Sequence, residues 1–167
     1  MGEVARGLDK DLADKMAANY DYKAEAKVQE WIENLTGEKC PEGEEQFGPW
    51  LQDGVILCRL VNTIKEQNGD TQGDSRLMKV GKIHDVQGKA DSPFVKSKRM
   101  DNITAFIKAV RTSGVMEQAN FATVSLLELK NLGQVVRTIT AYSNAVRDMG
   151  LFDGPFIDPV REFDTTY

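Results

Sequence analysis

Residues 50–62 read Trp50-Leu51-Gln52-Asp53-Gly54-Val55-Ile56-Leu57-Cys58-Arg59-Leu60-Val61-Asn62. Trp50, Leu57, Leu60 and Val61, with Ile64 beyond, return at steps of three and four, the period of one buried helix face. The pattern predicts a single helix over about 47–66, ended by Asn68-Gly69-Asp70. Asp53 and Asn62 flank its apolar segment, where a polar side chain is expected to hydrogen-bond neighbouring backbone. Gly54 has no Cβ, so a second helix is expected to approach closely there. Cys58 lies within an apolar run and reads as a buried thiol.

Similar patterns lie on either side. Val28, Trp31, Ile32 and Leu35 mark an earlier helix over about 22–35, with Gly37 as its stop. Residues 38–46 are acidic and turn-like around Pro41 and Gly43. Residues 68–92 carry glycines and scattered apolar positions, Leu77, Met78, Val80, Ile83 and Val86, and read as a long ordered connection. Ser92-Pro93 then offers an N-cap and a first-turn proline. The helix it opens runs to about Thr112, with Met100, Ile103, Phe106, Ile107 and Val110 inward and Gly114 beyond its end. Ser125-Leu126-Leu127-Glu128 has the form of a capping box. It predicts a fourth helix to about 147, with Leu132, Val135, Val136, Ile139, Tyr142 and Val146 as its stripe.

No segment alternates as a strand would, so the expected fold is all-α, with four main helices, short connecting helices and long loops. Residues 1–20 form a polar extension with weak helical character, and 21–147 the domain. Residues 148–167 are an acidic linker or tail of net charge −4, expected to pack through Phe152, Phe156 and Phe163.

The bulk numbers agree. In 167 residues, 41% are hydrophobic and 28% charged, the balance of a globular chain and not a disordered one. A net charge of −5 argues against a general nucleic-acid binder. Cys40, Cys58 and His84 are too few for a four-ligand Cys/His zinc site, and two cysteines make no disulfide framework. A reducing, cytoplasmic setting is expected. The N-terminus lacks the apolar core of a signal peptide, and no apolar run approaches the ~18 residues of a membrane span.

Apparent chemical motifs fail on inspection. The loop beginning Asn68-Gly69-Asp70 resembles a calcium loop, but its twelfth position is Lys79 instead of a bidentate Glu. Gly88-Lys89 resembles the end of a phosphate loop, but Ile83 stands at the earlier glycine and Ala90 at the hydroxyl position. His84-Asp85 has no nucleophile placed beside it and reads as a loop histidine making ordinary hydrogen bonds. Neither enzymatic activity nor a metal or cofactor is expected.

The four blocks together resemble the calponin homology domain. Residues 50–62 are similar to its L-x-D-G-x-x-L-C-x-L-x-N signature, and Trp31-Ile32 to its first-helix tryptophan. Residues 100–107, Met-Asp-Asn-Ile-Thr-Ala-Phe-Ile, resemble M-E-N-I-x-x-F-L. Residues 126–136, with Lys130-Asn131, resemble D-L-x-E-x-K-N-x-x-x-V-V. The resemblance covers about 25–147, and is nearest to the calponin, transgelin and muscle-protein-20 group. It implies Trp31, Asp53, Gly54, Leu57, Asn62, Phe106, Lys130 and Asn131 as structural signature positions. Ser125 departs from the family's Asp, a change that keeps the capping role.

The resemblance implies a cytoskeletal protein of muscle type that binds or regulates F-actin. The group carries short C-terminal repeats that contribute to actin binding, and none precedes Tyr167. A stop in so acidic and aromatic a stretch reads as a truncation ahead of such a repeat. The alternative is a regulatory scaffold that grips a signalling protein with no direct actin contact. Charge distribution locates a candidate surface for either. Arg76, Lys79, Lys82, Lys89, Lys96, Lys98 and Arg99 give residues 76–99 a net charge of +5, leaving −10 on the rest. Such a segment steers an acidic partner, such as an actin filament, to one face. A phosphoinositide-responsive surface built from the same lysines is a third reading.

Overall fold

In a computed structural model, the structure describes residues 20–67, 75–89, 92–150 and 152–157. The extension before residue 20, the Asn68-Gly69-Asp70 turn and Phe163 lie outside them. Six α-helices and one 3-10 turn make up the regular structure of the described residues.

Helix α1 spans Tyr22–Thr36. Its N-cap is Asp21, whose Oδ1 accepts the Ala24 N–H at 3.0 Å, and Gly37 closes it at φ +76°. The inward residues are the four that its period predicts, Val28, Trp31, Ile32 and Leu35. Helix α2 spans Phe47–Leu51, α3 Val55–Glu66 and α4 Pro93–Thr112. A 3-10 turn at Glu117–Ala119 leads to α5, Thr123–Leu127, and α6, Leu132–Asp148.

α3 lies between α1 and α4, and α6 closes the bundle against α1 and α5. Leu57, Leu60, Ile64, Ile103, Phe106, Leu126 and Ile139 are fully enclosed. Phe106 meets Tyr142 edge-on at 5.8 Å, and Tyr142 meets Trp31 in the same manner at 6.4 Å, which ties α4, α6 and α1 together. The hydroxyl of Tyr142 is held well above its ordinary pKa by burial alone.

Met100, expected on the inward stripe of α4, is instead 41% exposed. Two expectations about helix ends are also corrected. The helix expected over 47–66 is two helices, broken at Gln52–Gly54. Gly54 has φ +75°, outside helical space, and the Val55 N–H turns to Asp53 Oδ1 at 2.9 Å. The cause is α4: a Cβ on Gly54 would stand 2.7 Å from Asn102 Cβ and 2.8 Å from the Ile103 backbone nitrogen. The capping box is the second correction. Ser125 sits inside α5 and its carbonyl accepts the Asn131 N–H, so the last helix opens six residues later than Ser125 implied. Asn131 is its N-cap, with Oδ1 accepting from the Gln134 N–H at 3.2 Å. Between the two helices Leu129 adopts φ +53°. That turn lets Leu129 and Leu132 fill the space over Gly48, 3.0 and 3.3 Å from where a Cβ would be.

The chain beyond α6 folds back across α1 and α6. Phe152 and Ile157 are buried, and Phe156 is half-buried with its ring edge-on to Phe152 at 5.5 Å. Trp31 Nε1–H donates to the Pro155 carbonyl at 2.7 Å, and the Ile157 N–H donates to Ser143 Oγ at 3.0 Å.

Candidate functional site

The basic connection is held by two asparagines, one from each helix that flanks it. Asn62 on α3 accepts the Val80 N–H at 2.7 Å and donates to the Val80 carbonyl at 3.0 Å. Asn102 on α4 treats His84 the same way, accepting its N–H at 2.8 Å and donating to its carbonyl at 3.0 Å. An amide carries both a donor and an acceptor, so it satisfies both backbone groups of one residue, as a neighbouring strand would. Buried Leu77 and Val80 seat the same segment on the core. Residues 77–84 are thereby a fixed edge without regular secondary structure. His84 is a clamped loop residue, its Nε2 3.9 Å from Asp101 Oδ2.

Asn102 is the residue that sequence reading missed. It is 1% exposed, and its Nδ2 also donates to the Asp53 carbonyl at 3.0 Å. Its own carbonyl lies 3.2 Å from Cys58 Sγ, and burial pushes the pKa of that thiol up to about 12. The available signal was its place one turn before Phe106, an amide on an otherwise apolar stripe. Burial also raises the Asp53 carboxyl, opposed by the Val55 N–H and by the charges of Arg99 and Arg59.

The predicted cations divide into engaged and available. Lys79 Nζ lies 3.6 Å from Glu66, and Lys96 Nζ 4.0 Å from Glu128, which also holds Lys130 at 3.0 Å. Lys130 draws the Glu128 carboxyl below its ordinary pKa, with a smaller contribution from Lys96. Lys98 Nζ sits 4.4 Å from the centre of the Phe94 ring. Lys82 and Lys89 are exposed and make no ion pair among the described residues. Arg76 is exposed beside buried Leu77. Arg99 is half-buried, and its Nε is enclosed with no partner, so it belongs as much to the fold as to the surface. Lys89 is carried to the first turn of α4, where its carbonyl accepts the Ser92 N–H at 3.0 Å.

Of the signature positions, Trp31, Leu57 and Phe106 are core, Gly54 is the helix crossing, Asn62 a clamp and Asn131 a cap. Among the described residues no three His, Cys, Asp or Glu side chains gather as metal ligands, and no helix is long and apolar enough to cross a membrane. A groove of about 340 Å³ runs between α1 and the returning tail, lined by Lys27, Glu30, Trp31, Asn34 and residues 155–157.

The clamp makes a first prediction. Asn62→Ala leaves two part-buried Val80 groups unpaired and should destabilise the protein by about 1–3 kcal/mol in urea unfolding. Amide exchange at Val80 should rise above that of the helices. Unchanged exchange there would show that the clamp does not hold the edge.

Comparison with known proteins agrees with this architecture. Residues 23–148 match the family model described as "Calponin homology (CH) domain". Myophilin of Echinococcus granulosus is 33% identical over 153 residues, 92% of this chain and 71% of that protein. Muscle-specific protein 20 of Drosophila melanogaster is 31% identical over 152 residues, 91% and 72% of the two chains. Among solved structures, the calponin-homology domain of an IQGAP protein from Schizosaccharomyces pombe superposes with a TM-score of 0.62 at 24% identity, covering 88% of this chain and 80% of that one. The calponin-homology domain of Rng2 from the same organism gives 0.58 at 22%, covering 89% and 86%. At these identities the two structures speak to the fold alone.

Proposed function

The chain belongs to the calponin homology domain family, and from that premise we propose that it is a non-enzymatic, muscle-type protein of the actin cytoskeleton. It contacts the filament side-on through the clamped basic edge at residues 76–99. The single observation carrying this reading is the pair of asparagine clamps, which fix Val80 and His84 within a stretch, residues 76–99, of charge +5 on a chain whose remainder is −10. A fixed edge loses little conformational freedom on binding. The acidic remainder turns an acidic filament away from other faces. Ion pairs as exposed as Lys79–Glu66 and Lys96–Glu128 are weak and exchange readily for a partner's carboxylates.

Cosedimentation with filamentous actin tests this. The wild-type chain should pellet more tightly in low salt than at physiological salt, because exposed charges are screened over about 8 Å there. Lys82→Glu with Lys89→Glu and Lys96→Glu should weaken pelleting at low salt by about tenfold or more. Arg99 stays untouched, because its enclosed Nε makes reversal there a folding defect. Pelleting that ignores both salt and the triple reversal would reject the edge. A second reading, a scaffold for a signalling protein without filament contact, is favoured by half-buried Arg99, whose enclosed Nε withdraws one cation of the edge from a partner. Failure of the wild-type chain to pellet at low salt would support it.

A further inference from the structure

Phe94 lies outside the inward stripe of α4, formed by Val95, Ile103, Phe106, Ile107 and Val110. It is 69% exposed, the largest fraction among the exposed large apolar side chains of the described residues. A lone exposed apolar residue is ordinary. This one is not alone in its chemistry. Lys98, one turn on, places its ammonium 4.4 Å from the ring centre and makes no ion pair among the described residues. Gly88 packs against Val95, where a Cβ would be 3.0 Å from Val95 Cγ2, and this seats the end of the basic edge on the same first turn. An aromatic ring thus stands at the end of the basic edge, beside a cation that covers one ring face and leaves the rest open.

We propose that Phe94 and Lys98 form the anchor of this edge: the ring enters an apolar depression on an acidic protein surface, and Lys98 meets a carboxylate on its rim. This rests on the filament-binding reading above and assigns the residues that would make such binding specific. Charges bring a partner in and orient it, but residence depends on a few buried anchors, with aromatic and cationic side chains prominent among them. Charge complementarity favours a protein over a lipid surface. A membrane needs a dense cluster of uncommitted lysines and arginines. Here Lys79 and Lys96 face glutamates, Arg99 is half-buried, and the acid Asp101 lies one turn past Lys98 on α4.

The experiment compares the wild-type chain, Phe94→Ala and the Lys82→Glu/Lys89→Glu pair with filamentous muscle actin at two salt concentrations, and with phosphatidylserine vesicles. Phe94→Ala should weaken pelleting by about fivefold to tenfold by the same factor at both salts. The charge pair should instead flatten the salt dependence. Lys98→Ala should weaken binding at low salt, and Phe94→Trp, which keeps an aromatic ring, should bind as wild type does where Phe94→Ala does not. Because Phe94 is exposed, its thermal midpoint should match wild type, which separates lost binding from lost folding. Wild-type pelleting that Phe94→Ala leaves unchanged overturns the anchor and spares the filament reading. No wild-type pelleting overturns both. Vesicle binding that depends on Phe94 where pelleting does not would reassign the ring to a membrane.

Discussion

Gly54→Ala should cost about 3–5 kcal/mol in equilibrium urea unfolding, out of proportion to one methyl group. Two causes act together. At φ +75° an L-residue pays about 1–2 kcal/mol that glycine does not. The added Cβ would also lie 2.7 Å from Asn102 Cβ and 2.8 Å from the Ile103 backbone nitrogen, and a helix backbone cannot swing aside as a side-chain tip can. Relief would require α4 to move, and with it Asn102, which clamps His84 and Asp53. Gly37 supplies the control. It has nearly the same φ, +76°, with nothing within 4 Å of an added Cβ. Gly37→Ala should therefore cost only the conformational part, about 1–2 kcal/mol. Equal losses at the two sites would show that conformation alone matters at Gly54 and that the helix crossing has slack.

This contrast also explains what could be read in the sequence. The inward faces of α1 and α6, and that of α4 apart from exposed Met100, follow from spacing, because a 3.6-residue apolar period has one way to meet a core. Gly54 was legible as a site of close approach. That the approach breaks the helix was not, because a glycine within a helical pattern costs only about 1 kcal/mol and the pattern continues across it. The break depends on where Asn102 arrives, 48 positions later in the chain. The opening of α6 failed for a related reason. Ser125 and Glu128 have capping-box spacing, yet Asn131 and Gln134 have cap spacing too, and the packing of Leu129 and Leu132 over Gly48 decides between them. The basic edge was visible as charge. Its fixed shape was not, because each clamp joins residues 18 apart through an amide whose partner no local pattern names.

The tail yields the second large effect. Trp31→Ala should cost about 3–5 kcal/mol, since the ring is 2% exposed and is shared between Tyr142 and the returning chain. Trp31→Phe divides that cost. It keeps most of the buried ring and loses the Nε1–H to Pro155 bond of 2.7 Å, so about 1–2 kcal/mol should go. Ending the chain after Gly150 removes buried Phe152 and Ile157 together with that bond, and should cost about 2–4 kcal/mol once the released chain's entropy offsets part of the lost burial. Coupling between the two changes decides the role of the segment. If residues 152–157 are part of the domain, Trp31→Phe should cost far less in the shortened chain than in the full one, because the carbonyl it served has gone. Additive losses would mean that Trp31 and the tail stabilise the protein independently, and that the folded unit ends with α6. Non-additive losses would carry the structural domain to at least Ile157, nine residues past the end of the family match at residue 148.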